Sequence, residues 1–191
     1  MAYDLIVVGA SWGGLHALGR LLDHLPDELD VPVVVVQHRG PDTLGGALAA
    51  SLRRHTRRPV REVEDKDPLE RGSVYLAPPD YHLLVEDGGF ALSLDERVRY
   101  ARPSVDVLFE SAADAYGPGV IGVILTGAND DGAAGLRRIA ERGGVAIVQE
   151  PATAEIRVMP DAALAATEAV VLPLERIGPY VADLCHAGAR R

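Results

Sequence analysis

The chain holds a single cysteine, Cys185, so no disulfide can form within it, and its place late in an amphipathic segment reads as a buried thiol. Lysine is equally scarce: Lys66 is the only one, and arginine supplies the other basic side chains. Positive charge is in deficit, with a formal net charge of −9, which argues against a broad nucleic-acid or anionic-membrane surface. No apolar run approaches the length of a membrane span. The apolar N-terminal stretch lacks a basic leader and passes directly into a glycine turn, the pattern of a strand and not of a signal peptide, so a cytoplasmic protein is expected. Linkers, composition shifts and internal repeats are also missing, and a single domain over 1–191 is expected.

What is present is a 48% hydrophobic composition rich in Gly, Ala and Val, which suits a layered α/β protein. The stretch LIVVGASWGG, Leu5 to Gly14, reads as a buried strand that ends abruptly and delivers the Ser11 hydroxyl to the top of a sheet. A helix over Leu15 to His24 and a second buried strand over Val31 to His38 follow, an order that implies a parallel pair with a right-handed crossover. A helix over Leu44 to Arg54, capped by Asp42 or Thr43, leads into an arginine patch of Arg53, Arg54, Arg57, Arg58 and Arg61. The patch reads as a solvated face, with docking of acidic helices as the alternative. A short strand is expected over Val60 to Val63.

From Gly72 to Leu94 the runs SVYLA, HLLVE and FALSL, separated by PPD and DGG, read as antiparallel hairpins. The α/β alternation then resumes: a helix over Ser104 to Tyr116, a buried strand over Val120 to Gly127, a helix over Ala133 to Arg142 and a strand over Val145 to Gln149. Helices over Pro160 to Thr167 and Leu174 to Cys185 flank a last short strand, Val170 to Leu172. The fold class expected is therefore α/β, a doubly wound, mostly parallel sheet with a small antiparallel excursion.

In such sheets chemistry collects outside the carboxyl ends of the strands. Those ends carry Ser11, then Gln37 and His38, then Asn129, Asp130 and Asp131. A serine, a histidine and an aspartate converging on one edge is what nucleophilic acyl chemistry requires. The imidazole takes the hydroxyl proton, and a carboxylate holds the imidazole in the useful tautomer. Their order, Ser, His, Asp, differs from that of the α/β-hydrolases. A dinucleotide-binding turn is the competing reading of GASWGG, but it wants an acidic residue at the end of the second strand, where Gln37 and His38 stand. Ser11 also has the composition of a helix N-cap.

The chain resembles the catalytic domain of the CheB-type protein-glutamate methylesterases of bacterial chemosensory pathways. The matching stretches are VVGASWGG at 7–14, VVQHRGP at 35–41, YLAPPDYHL at 75–83, ARPSVDVLFESAA at 101–113, GVILTGANDDGAAGL at 122–136 and QEPATAEIRVMPDAAL at 149–164. The resemblance implies Ser11 as nucleophile, His38 as general base and Asp131 as the residue that orients it, with Asp130 taking that part if the loop is one residue out of register. Oxyanion donors would be the N–H of Trp12 and one from the 127–129 loop, such as that of Ala128. It implies hydrolysis of glutamate γ-methyl esters on the cytoplasmic helices of methylated chemoreceptors, with deamidation of certain glutamines, and no metal or cofactor.

Trp12 and Arg39 stand where the family commonly has threonine and methionine, and a guanidinium stacked on the indole would narrow the mouth of the site. Arg102, opening RPSVD, reads either as an anchor for the catalytic loops or as a substrate contact. His82 is the rival imidazole. Family members commonly carry an N-terminal receiver domain, whereas the first catalytic strand here begins near Tyr3. A stand-alone enzyme regulated otherwise is one expectation, and a non-catalytic signalling module on the same fold is the alternative.

Overall fold

A computed structural model describes residues 3–40 and 46–189. Strand β1 (Leu5–Ala10) is buried at every position, as a six-residue apolar run with both faces covered must be. It lies at the centre of a seven-stranded parallel sheet with β2 (Val33–Gln37), β3 (Val60–Glu62), β4 (Val74–Leu76), β7 (Val120–Ile124), β8 (Val145–Gln149) and β9 (Val170–Leu172). The order is β3-β4-β2-β1-β7-β8-β9. Strands β5 (His82–Glu86) and β6 (Gly89–Ser93) form a separate antiparallel pair.

Successive residues of each strand point to opposite faces. Ile6, Val8, Val33 and Val35 pack with α1 (Gly14–Asp23), α2 (Ala47–Leu52) and α6 (Leu174–Ala189). Leu5, Val7, Val34 and Val36 pack with α3 (Val105–Tyr116), α4 (Ala133–Glu141), α5 (Val158–Ala166) and the β5–β6 hairpin. The sheet is thus doubly wound, and its order reverses between β1 and β7, which sets the switch point at its carboxyl edge.

Two expectations are corrected. Of the three runs between Gly72 and Leu94 only the last two form a hairpin; the first is β4, parallel and inserted between β2 and β3. All three residues of β4 are buried, so it needs sheet neighbours on both sides, which a hairpin of that length would not supply. The arginines of the 53–61 patch form a solvated face only in part: Arg53, Arg54 and Arg57 are exposed, and Arg58 and Arg61 are drawn into the fold. Arg58 is buried and donates to the carbonyls of Val31 and Gly72, Arg53 donates to that of Val60, and Arg61 lies over the Tyr75 ring. Helix α2 starts at Ala47 behind Gly46, and the expected caps Asp42 and Thr43 lie outside the described residues.

Cys185 is buried, and burial pushes its thiol up to about 11. Among the described residues no helix is long and apolar enough to cross a membrane, and no group of three or more His, Cys, Asp or Glu side chains is arranged to hold a metal ion.

Candidate active site

Register brings the site together. Ala10 of β1 pairs with Gln37 of β2, so Ser11 and His38 leave the sheet side by side. On the other flank Gly9 pairs with Ile124, and the chain continues past β7 so that Ser11 N–H donates to the Thr126 carbonyl at 3.0 Å. Gly127 lies directly against Ser11: a Cβ there would sit 2.9 Å from the serine Cβ, so only glycine lets the two loops approach this closely. Ser11 does not cap α1, whose N-cap is Gly13 with no side-chain bond. Its carbonyl accepts from Gln37 Nε2 at 2.8 Å, which ties the loops after β1 and β2 to each other.

His38 is anchored on Asp131. Nε2 of the ring lies 2.6 Å from Asp131 Oδ2, and the carboxylate is fully buried. Asp131 sits at the N-terminus of α3, where its two oxygens also accept from the backbone N–H groups of Val105 (2.7 Å) and Asp106 (3.0 Å) and from the Ser104 hydroxyl (2.8 Å). Burial raises the carboxyl pKa, but the bonds from His38 and from the Asp106 and Val105 N–H groups outweigh it and hold the group below the usual carboxylate range. Asp106, in the first turn of α3, returns the arrangement by accepting from Gly132 N–H (2.9 Å) and Gly135 N–H (2.7 Å) at the start of α4. Burial pushes the Asp106 carboxyl up, against the bond from Gly135. Each helix therefore carries a carboxylate on the other's positive end.

Asp130 points elsewhere: it is exposed and paired with Arg99. His82, the rival imidazole, is buried at the start of β5, bonded to the Glu96 carbonyl at 3.0 Å and the Ser104 N–H at 3.2 Å.

Ser11 and His38 line one cavity of about 650 Å³ with Trp12, Leu15 and Gln37. Among the described residues no hydrogen bond joins the Ser11 hydroxyl to His38, whose ring partners are Asp131 and Asn129. The Trp12 indole is exposed at the cavity mouth, and its carbonyl accepts from the Thr126 hydroxyl at 3.0 Å. Ala128 is exposed on the loop after β7, whereas the Gly127 N–H is committed to the Ile156 carbonyl at 3.1 Å.

The expected stacking of Arg39 on Trp12 is not what forms. The Arg39 guanidinium is buried beside Glu62 at 2.7 Å and donates to the Ala77 carbonyl at 2.6 Å, because β2, β3 and β4 together offer it a carboxylate and a free carbonyl that the indole cannot match. Arg102 holds the loop that follows the hairpin, donating to Asp80 Oδ1 (2.9 Å from Nη2) and to the Leu94 and Asp95 carbonyls (2.8 and 3.0 Å). Sequence reasoning missed Ser104, Asp106 and Thr126, polar residues whose partners lie far along the chain. The one local hint was that serine precedes the helix as its N-cap.

The class this defines is a doubly wound α/β protein with a serine, a histidine and a buried aspartate at the switch point of its sheet. The chain belongs to the CheB methylesterase family, whose profile matches residues 6–181. It is 48% identical to a Leptospira interrogans protein provisionally named protein-glutamate methylesterase/protein-glutamine glutaminase, over 93% of this chain and 92% of that protein. It is 44% identical to a Nocardioides protein-glutamate methylesterase/protein-glutamine glutaminase, covering 94% of this chain but 50% of that longer protein. The crystal structure of the Thermotoga maritima CheB methylesterase catalytic domain matches with a TM-score of 0.90 and 32% identity, over 96% of this chain and all of that one.

Proposed function

We propose that the protein is a serine hydrolase that removes the γ-methyl ester of glutamate residues on the cytoplasmic helices of methylated chemoreceptors, and that it also deamidates glutamines there. The observation that carries this reading is the 2.6 Å contact of His38 with a buried, N–H-bound Asp131 beside Ser11, in a chain of the methylesterase family. The Ser11 hydroxyl attacks the ester carbonyl as its proton passes to His38. With Nε2 turned to Asp131, the accepting nitrogen is Nδ1. The N–H groups of Trp12 and Ala128 stabilise the oxyanion. Collapse of the tetrahedral intermediate breaks the C–O bond to methoxide, which takes the proton from His38 and leaves as methanol. Water, deprotonated by the same imidazole, then attacks the acyl-serine, releasing the glutamate carboxylate and restoring the hydroxyl.

Asp131 accepts the Nε2 proton and stabilises the imidazolium that forms in each half-reaction. Arg102 and Arg39 hold the surrounding loops through Asp80 and Glu62.

The test is methanol release from methylated receptor fragments by the wild type and by Ser11→Ala. Loss of release in the variant, by about 10³-fold or more, is expected; release at the wild-type rate sinks the assignment. The absence of a Ser11–His38 hydrogen bond is the observation that favours the second reading, a non-catalytic signalling module. Covalent labelling of Ser11 by a fluorophosphonate, mapped by mass spectrometry, counts against that reading.

A further inference from the structure

Asn129 has no part in the chemistry above, yet it touches the imidazole. Its Nδ2 lies 3.3 Å from His38 Nδ1, and its Oδ1 accepts from the Asp131 N–H at 3.3 Å. A backbone N–H can only donate, so the side-chain oxygen is the atom that faces it. The NH2 group therefore faces Nδ1, and a donor in that place requires Nδ1 to carry a lone pair. The ring proton then sits on Nε2, directed at Asp131 Oδ2. Two residues of one loop, Asn129 and Asp131, thus define a single neutral tautomer of His38 from opposite edges of the ring.

We propose that Asn129 is a positioning residue that acts through His38: its amide holds the Nδ1 lone pair in the resting site, and the Ser11 hydroxyl displaces it before proton transfer begins. The proposal rests on the reading of Ser11 as nucleophile and His38 as base. Two donors compete for one lone pair, which accounts for the missing Ser11–His38 bond. The amide also favours the neutral ring over the cation, since a protonated Nδ1 would set donor against donor. Asp131 acts in the opposite sense, favouring the cation.

Other charged or titratable groups share the space around His38. Across the first cavity these are His16, Arg20 and His55, and across a second of about 380 Å³ they are Arg39, Arg97, Arg99 and Arg102. Among the described residues none hydrogen-bonds to His38. None is altered by a change at 129, so a difference between variants reports the amide.

The experiment uses the full chain with Asn129→Ala and Asn129→Asp, follows methyl-ester hydrolysis against pH, and records the ¹⁵N resonances of the His38 ring. Loss of one hydrogen bond of ordinary strength moves the acid limb of kcat/KM up by about half to one pH unit and raises kcat on the plateau roughly 2- to 10-fold. Asn129→Asp keeps the shape but cannot donate to Nδ1, and its limb moves up at least as far. The wild-type ¹⁵N spectrum on the plateau shows Nε2–H alone, with Nδ1 unprotonated; Asn129→Ala keeps that tautomer, which Asp131 holds, but its Nδ1 resonance moves downfield as the donor to its lone pair is lost. An unmoved acid limb in both variants, or a wild-type ring with Nδ1 protonated, overturns the proposal. Failure of the hydrolase reading is distinct: Ser11→Ala releases methanol at the wild-type rate while the ¹⁵N spectrum still reports the Asn129 contact.

Discussion

Asp130 and Asp131 are neighbours in sequence and opposites in environment. The first is exposed and paired with an arginine; the second is buried and bound by His38, Ser104 and two backbone N–H groups. Asp131→Asn keeps the side-chain volume but removes the charge, and its NH2 group meets donors on every side. Methanol release is expected to fall by about 10³- to 10⁴-fold in that variant. Asp130→Asn loses a surface pair of the kind that contributes at most about 1 kcal/mol, and its rate is expected to stay within about 2-fold of wild type in the same assay. A similar contrast separates Trp12 from Arg39. Trp12 follows Ser11 and Arg39 follows His38, but only the indole stands at the cavity mouth, while the guanidinium is sequestered by Glu62.

At the scale of elements, the site depends on two helices that exchange carboxylates. Asp131, just before α4, serves the N-terminus of α3, and Asp106 in α3 serves that of α4. Gly132 makes this possible: its φ is +99°, and a Cβ would meet Ile124 and Val105 at 2.6 Å. Gly132→Ala is therefore expected to lower stability by about 1–3 kcal/mol, seen as a lower urea midpoint with an unchanged slope. None of this was legible in the sequence. The strand and helix periods of each segment were, because they are set by residues a few positions apart. The capping partners are separated by about 25 residues and depend on how α3 and α4 cross. β4 escapes the sequence for a related reason: the short run SVYLA carries too little pattern to tell a parallel neighbour from a hairpin arm.

For the whole molecule, acid stability follows from these two carboxylates. Asp131 titrates below its unfolded value of about 3.9, so it contributes stability above that pH, and the contribution is lost as the pH falls through the lower folded value. Asp106 titrates above its unfolded value, so it has the opposite sign and favours the folded state as the pH falls through its raised value. Wild-type stability is expected to drop steeply only below about pH 4, where the Asp131 contribution goes. Asp131→Asn should flatten that part of the curve, and urea midpoints measured from pH 7 to pH 3 check both statements.

The sequence by itself determined which chemical groups reach the carboxyl edge of the sheet. An apolar run must be buried and must end, and Ser11, His38 and Asp131 all lie at or just beyond such ends. The tertiary structure decided what those groups are bonded to. It directs Nε2 of His38 to Asp131, sets the Asn129 amide on Nδ1, turns Arg39 away from the indole and makes β4 a parallel strand. Periodicity records which face of its own element a residue occupies, whereas hydrogen-bond partners 91 and 93 residues apart are chosen only when the strands take their register.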